Sequence, residues 1–285
     1  LKSIKICVAA ITAGVVCIAA MLGILSAAIY AENESGNSFI GLMYHQVLKD
    51  ESRAGKYIIT PNELESDLAY LSENGYVSVL PSQLVKIREQ GGRLPEKTVV
   101  ITFDDGYETG LYYVLPLLKK YGMKAVINVV GSYTDEYSRI NEEGKHLSYA
   151  YLTWNEIKTL SDSGYVEIGN HTYDMHSNNG DRNGCTRKEN ESDEQYRTVL
   201  YEDVARLSDK LQQVTGKRPV AFAYPFGSLS EGSAEIIGSA GISVFMTCCE
   251  QPCSMNRNGR IVINRYNRES GRSAQQICEE FNNAF

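Results

Sequence analysis

Two adjacent acids, Asp104 and Asp105, stand directly behind the strand-like run Thr98-Val99-Val100-Ile101-Thr102-Phe103 and directly ahead of Gly106. A buried strand ending in Asp-Asp-Gly carries two carboxylates to one rim of a sheet, and the glycine allows a tight turn after them. Neighbouring carboxylates in a cleft repel each other. They need a cation or a division of labour, with one acid on a metal and the other handling protons. A plain turn with a helix cap is the other reading of these residues. A second segment, His171-Thr172-Tyr173-Asp174-Met175-His176, follows the apolar run Val166-Glu167-Ile168-Gly169. Histidines five apart point about 140° apart on a helix and to opposite faces of a strand, so they meet on one ion only across a turn. The chain has four histidines, and two lie here. Imidazole plus carboxylate suits zinc and its first-row neighbours, and an Asp-His-His set leaves positions open for water, as in a catalytic rather than a structural site. Two exposed loop histidines are the alternative.

Two more strand-like runs end in special residues. Phe39–Tyr44 leads into His45, and Val220–Ala223 leads into Tyr224-Pro225-Phe226-Gly227. Catalytic groups of parallel α/β sheets and barrels sit at the carboxyl ends of strands. Four such ends together weigh more than any single motif.

With these residues the chain resembles the carbohydrate esterase family 4 polysaccharide deacetylases, also called the NodB homology domain, over residues 39 to 268. Thr102–Gly106 matches the family's first motif. The segment from His171 to His176 is similar to its metal-binding histidine motif, with a spacing of five where many members have four. That spacing resembles the branch that de-N-acetylates poly-N-acetylglucosamine. The same branch carries an early Met-Tyr-His, as Met43-Tyr44-His45 does here, in place of the late catalytic histidine of other members. No histidine follows His176 in this chain. Tyr224–Gly227 is similar to the third motif, but Ala223 stands where an arginine commonly precedes it, which puts the partner of the base aspartate in doubt.

The resemblance implies hydrolysis of an acetamide on an acetylated polysaccharide. Asp105, His171 and His176 would bind a divalent metal, zinc first, with cobalt, nickel or iron also compatible. Asp104 would be the general base, His45 the general acid, and the Phe226 N–H a donor to the oxyanion. Tyr107, Tyr224, Trp154 and Pro225 are candidate walls for the sugar ring, or else core. Asp174 would orient one histidine, or merely form a turn. O-deacetylation of a xylan-type glycan and an inactive glycan-binding module are the competing functions.

Lys2 and Lys5 precede an uncharged, mostly apolar run from Ile6 to Tyr30. Its length suits a bilayer-spanning signal anchor, with a cleaved signal peptide as the alternative, and the charges place the rest of the chain outside the cell membrane. The expected organisation is therefore a signal segment over 1–31, a linker over 32–38 and a deacetylase domain over 39–285. Setting Lys2 and Lys5 aside moves the net charge from −7 to −9. That argues against nucleic acid and anionic wall polymers as partners, and a monomer is expected. Cys185, Cys248, Cys249, Cys253 and Cys278 are read mostly as core, with room for one disulfide.

Strand and helix signals alternate along the rest. Helices are predicted over Thr60–Glu73 (a capping box with proline at the first helical position), Ser82–Gln90, Leu111–Tyr121, Thr153–Ser163, 194–215 and Ser230–Ala240. Strands are predicted over Tyr76–Leu80, Ala125–Val130, Ser243–Thr247 and Ile261–Asn264. This alternation predicts an α/β fold, a parallel α/β barrel; the resemblance implies the deformed (β/α) barrel of the NodB type, and the Ile6–Tyr30 run an N-terminal transmembrane helix before it. Residues 177–193 read as a long polar loop beside the metal motif.

Overall fold

The computed structural model describes residues 37–283, apart from 141–145, 179, 181 and 256–258. Seven parallel neighbours form the body of one sheet: β1 (Ser38–Tyr44), β5 (Thr98–Phe103), β6 (Ala125–Val129), β7 (Val166–Asn170), β8 (Ala221–Ala223), β9 (Val244–Met246) and β11 (Ile261–Ile263). Short strands flank it. These are β4 (Val77–Ser78) beside β5, β10 (Cys253–Ser254) antiparallel to β1, and a separate pair formed by β2 (Gln46–Val47) and β3 (Ile58–Ile59).

Closure comes from one stretch of chain. Ile261–Ile263 pairs with β9, and after Asn264 the chain continues as β12 (Arg265–Asn267), which pairs with β1 on the other side. The expected strand ended at Asn264, so the closing half was missed. Gly41 permits the seam, because a Cβ there would lie 2.3 Å from the Asn264 carbonyl oxygen.

Helices pack outside the barrel. They are α1 (Pro61–Glu73), α2 (Pro81–Glu89), α3 (Leu115–Tyr121), α4 (Gly131–Tyr137), α5 (Trp154–Asp162), α6 (Asp193–Thr215), α7 (Ser233–Ser239) and α8 (Ala274–Asn283). The Thr60 capping box exists as predicted: Thr60 accepts from the Glu63 N–H, and Glu63 accepts from the Thr60 N–H. The inner face of α1 fully buries Leu64, Leu68 and Leu71, each stabilising the fold by about 1.5–3 kcal/mol. The predicted helix over Leu111–Tyr121 begins one residue earlier, as a wider turn over Gly110–Val114, before α3. Two helices, α4 and α8, were not anticipated. The barrel and its helical shell bear out the expected fold class.

Cys185, Cys248, Cys249, Cys253 and Cys278 are free thiols. Cys185, Cys253 and Cys278 are buried, whereas Cys248 and Cys249 are exposed, so the allowance for a disulfide is not met. No helix among the described residues is long and apolar enough to cross a membrane. The signal-anchor expectation falls on residues 1–31 and lies outside the described residues.

Candidate active site

The carboxyl ends of β1, β5 and β7 deliver His45, Asp104 with Asp105, and His171 to one rim. The strand ends are locked in register: the Asp104 N–H donates to the Tyr44 carbonyl at 2.9 Å, and the His171 N–H to Val129 at 3.0 Å. Three non-glycine residues among those described have positive φ: Asp105 (70°), Thr172 (75°) and Phe226 (59°). All three lie at this rim. Such conformations cost roughly 1–3 kcal/mol each, persist where the surroundings over-determine them, and cluster at functional sites.

The turn at Thr172 lets two histidines five apart converge. His176 Nε2 lies 3.1 Å from Asp105 Oδ1, and His171 Nε2 lies 3.5 Å from the same oxygen. One ligand atom from each of the three falls within 4.8 Å of the others. His171 Nδ1 donates to the Ala223 carbonyl at 2.8 Å, which leaves Nε2 bare and facing Asp105. One carboxylate and two imidazoles, with one imidazole's tautomer fixed from behind, fit a divalent first-row cation. The field at the site has the matching sign. Burial works against charge on His171, yet hydrogen bonding to Asp105 and the Asp104 charge outweigh it and raise its pKa. Burial likewise pushes Asp105 up, but the two imidazoles pull it well below the usual carboxylate range.

Asp104 stays off this triad. Its Oδ1 accepts from Arg265 Nη1 and from Asn128 Nδ2, both at 2.7 Å. Burial alone would raise its pKa, but Arg265, followed by His171, holds it below the carboxylate range. Asn128 reaches Asp104 because β7 carries Gly169 beside it, where a Cβ would sit 2.0 Å from Asn128 Oδ1. Arg265 also resolves the arginine missing at Ala223. The guanidinium arrives from β12, fully buried, on the far side of the barrel seam. Nothing local in the sequence marks Arg265, which follows Asn264 and stands between Arg260 and Arg268.

His45 is enclosed beside these acids, its ring edge-on to Tyr57 at 4.8 Å. Its Nδ1 is buried with no hydrogen-bond partner. Burial lowers its pKa, and Asp105 and Asp104 pull the other way without overcoming it.

The loop carrying the histidines is held from α6. Asp203 accepts from the Tyr173 N–H at 2.7 Å and from the Asp174 N–H at 2.8 Å. Asp135 of α4 accepts from the Tyr173 hydroxyl at 2.5 Å and from Lys210 at 2.8 Å. Neither acid was anticipated, because each acts through tertiary contacts with a distant loop. Of the two readings of Asp174, orienting a histidine or forming a turn, its place fits the second: it is exposed at a bend and contributes its backbone N–H.

The expected sugar walls divide. Tyr107 is half-buried and stacks on Tyr151, ring centroids 4.9 Å apart. Tyr224 is core: its ring packs on Phe222 and Phe245 and its hydroxyl meets Ser233, so it offers no face to a ligand. Pro225 is likewise buried, at the start of a tight turn over Pro225–Gly227. Trp154 opens α5 with its indole N–H on Asp135 and its ring against the core, which makes it a structural residue. Phe226 combines an exposed ring 4.7 Å from that of His176 with a backbone N–H that the turn's own hydrogen bonds do not use.

Residues 91–245 match the polysaccharide deacetylase family, more than half of the chain. The chain belongs to that family. The poly-β-1,6-N-acetyl-D-glucosamine N-deacetylase of Escherichia coli K12 is 27% identical over 231 residues, covering 74% of this chain and 34% of that protein. The chain thus spans about a third of the length of that curated relative. Among solved structures, a de-N-acetylase from Aggregatibacter actinomycetemcomitans superposes with a TM-score of 0.73 at 25% identity, covering 85% of this chain and 99% of that one. IcaB from Ammonifex degensii follows at 0.68 and 26%, covering 86% and 97%.

Proposed function

We propose that this polysaccharide deacetylase is a metal-dependent N-deacetylase acting on an extracellular polymer of N-acetylhexosamine, of the poly-β-1,6-N-acetylglucosamine kind. The convergence of Asp105, His171 and His176 within 4.8 Å, with Asp104 held apart by Arg265, carries this reading. The similarity to poly-N-acetylglucosamine deacetylases supports the substrate class. The apolar run Ile6–Tyr30 behind Lys2 and Lys5 supports export.

Bound at Asp105, His171 and His176, a divalent ion supplies a Lewis acid for the acyl oxygen and acidifies a water. Asp104 accepts the water's proton. Both of its bonds fall on Oδ1, which leaves Oδ2 for that proton. Arg265 keeps Asp104 ionised throughout the neutral range, so the base is weak but always ready. The Phe226 N–H, presented by a residue at φ 59°, donates to the acyl oxygen as charge develops there. His45 gives a proton to the departing nitrogen, which an amide needs because it cannot expel an unprotonated amine easily. Burial lowers the pKa of His45, so it takes up a proton before it can give one to the nitrogen.

The test is acetate release from poly-β-1,6-N-acetylglucosamine oligomers, with and without chelator, alongside Asp104→Asn. Metal-dependent release abolished by the substitution is expected. Release from acetylated xylan alone would make the enzyme an esterase, and silence on every acetylated glycan would make it a binding module.

A further inference from the structure

The aromatic band around the triad extends past the reacting centre. His176 lies between Phe226 and Tyr133, ring centroids 4.7 and 5.8 Å away. Tyr133 packs on Tyr151 at 4.6 Å, and Tyr151 stacks on Tyr107. The segment carrying Tyr151 is strapped across both halves of the site. The Ser148 carbonyl accepts from Gln46 Nε2 at 2.9 Å, directly beside His45 in sequence. The Ala150 carbonyl accepts from the Glu108 N–H at 2.9 Å, and the Leu152 N–H donates to Gly106 at 2.8 Å, just beyond Asp105.

Tyr149, between these anchors, is 60% exposed and is the most exposed large apolar side chain among the described residues. It is not loose. The Arg53 guanidinium lies over its ring at 4.7 Å, and Arg53 Nη1 also donates to the Ser148 carbonyl at 3.4 Å. The His146 ring also lies beside it, centroids 5.6 Å apart and tilted by 45°, and the side chain still keeps 60% of its surface exposed. An aromatic ring already held by a cation and an anchored backbone has surrendered most of its rotamer freedom, so a second flat partner stacks on it at small entropic cost. Two other exposed rings, Tyr57 (50%) and Phe226 (47%), adjoin His45 and His176. Tyr149 makes no ring contact with His45 or His176, and its ring neighbours are Arg53 and His146.

We propose that the Arg53–Tyr149 pair is a distal subsite that stacks a second sugar of the N-acetylhexosamine chain, so that the enzyme selects polymer over short fragments. This rests on the deacetylase reading above. It is tested by comparing the hexamer and the disaccharide of β-1,6-linked N-acetylglucosamine as substrates for the full chain, Tyr149→Ala and Tyr149→Phe. Tyr201→Ala, on the exposed face of α6, is the control. In Tyr149→Ala the KM for the hexamer rises about tenfold with kcat within about twofold, and the hexamer loses its advantage over the disaccharide. Tyr149→Phe keeps the ring and the low KM. A hexamer KM within about twofold of wild type in Tyr149→Ala overturns the subsite, as does an equal loss in Tyr149→Phe or Tyr201→Ala. If the wild type releases no acetate from either glycan, the functional reading fails separately. Calorimetry with the hexamer then decides the subsite: binding weakened by Tyr149→Ala upholds it, and absent or unchanged binding overturns it.

Discussion

Arg265 and Asp104 form a fully buried ion pair across the barrel seam, Nη1 to Oδ1 at 2.7 Å, between residues 161 apart in sequence. The strand that closes the barrel thus also sets the charge state of Asp104. Removing one partner of a buried pair leaves the other uncompensated, at a cost of about 3–5 kcal/mol.

Arg265→Met is therefore expected to lower stability by about 3–5 kcal/mol, read from denaturant unfolding at neutral pH. Without the guanidinium, burial governs Asp104 and its pKa rises, so the acid limb of kcat/KM moves to higher pH. In the wild type, the depressed pKa contributes stability that is present above the unfolded value of about 3.9 and is lost as pH falls below it. That loss should vanish in Arg265→Met. An unchanged acid limb would mean that Arg265 does not tune the base.

The pair also shows how far the residues alone could be read. Asp104, Asp105, His171 and His45 were legible because each follows a strand-like apolar run, and strand ends share one rim of a parallel barrel. Arg265 was not, because the change of partner strand at Asn264 is decided by barrel closure and leaves no local pattern. Tyr224 misled for the opposite reason. It sits beside a motif, yet its N–H still donates to Met246 at 3.2 Å, so its side chain continues the inward packing of β8. Asp203 was indistinguishable from the other acids of a long amphipathic helix.

The histidine loop yields a second prediction. Asp203 bears two consecutive N–H donors, and an asparagine can replace only one acceptor. Asp203→Asn is expected to weaken zinc binding about 10–100-fold, as losses behind a metal ligand do, measured by competition with a chromogenic chelator. An affinity within about threefold of wild type would relegate Asp203 to ordinary packing.

Asp203 also gives a pH signature. Burial raises its pKa to about 6 despite the two N–H donors, whose pull is the smaller. A raised carboxyl contributes stability that is fully present below the unfolded pKa of about 3.9 and is lost as pH rises through about 6. The stability gap between wild type and Asp203→Asn should therefore be wider near pH 4 than near pH 7.5, by about 2–3 kcal/mol. Urea unfolding of both proteins at the two pH values checks this, and a gap that widens with pH would reverse the assignment.

Under the proposed mechanism, His45 separates amide from ester chemistry. A departing amine needs a proton and an activated phenolate does not. His45→Gln should therefore lower kcat on the N-acetylated oligomer by about 10²–10⁴ while affecting an activated aryl acetate far less. Glutamine keeps a polar group in a pocket where His45 Nδ1 already lacks a partner, so the fold should tolerate the change. Equal losses on both substrates would show that His45 shapes the site and does not protonate the leaving group. Parallel metal titrations keep the comparison clean, since His45 stands outside the Asp105, His171 and His176 set and its replacement should leave zinc content unaltered.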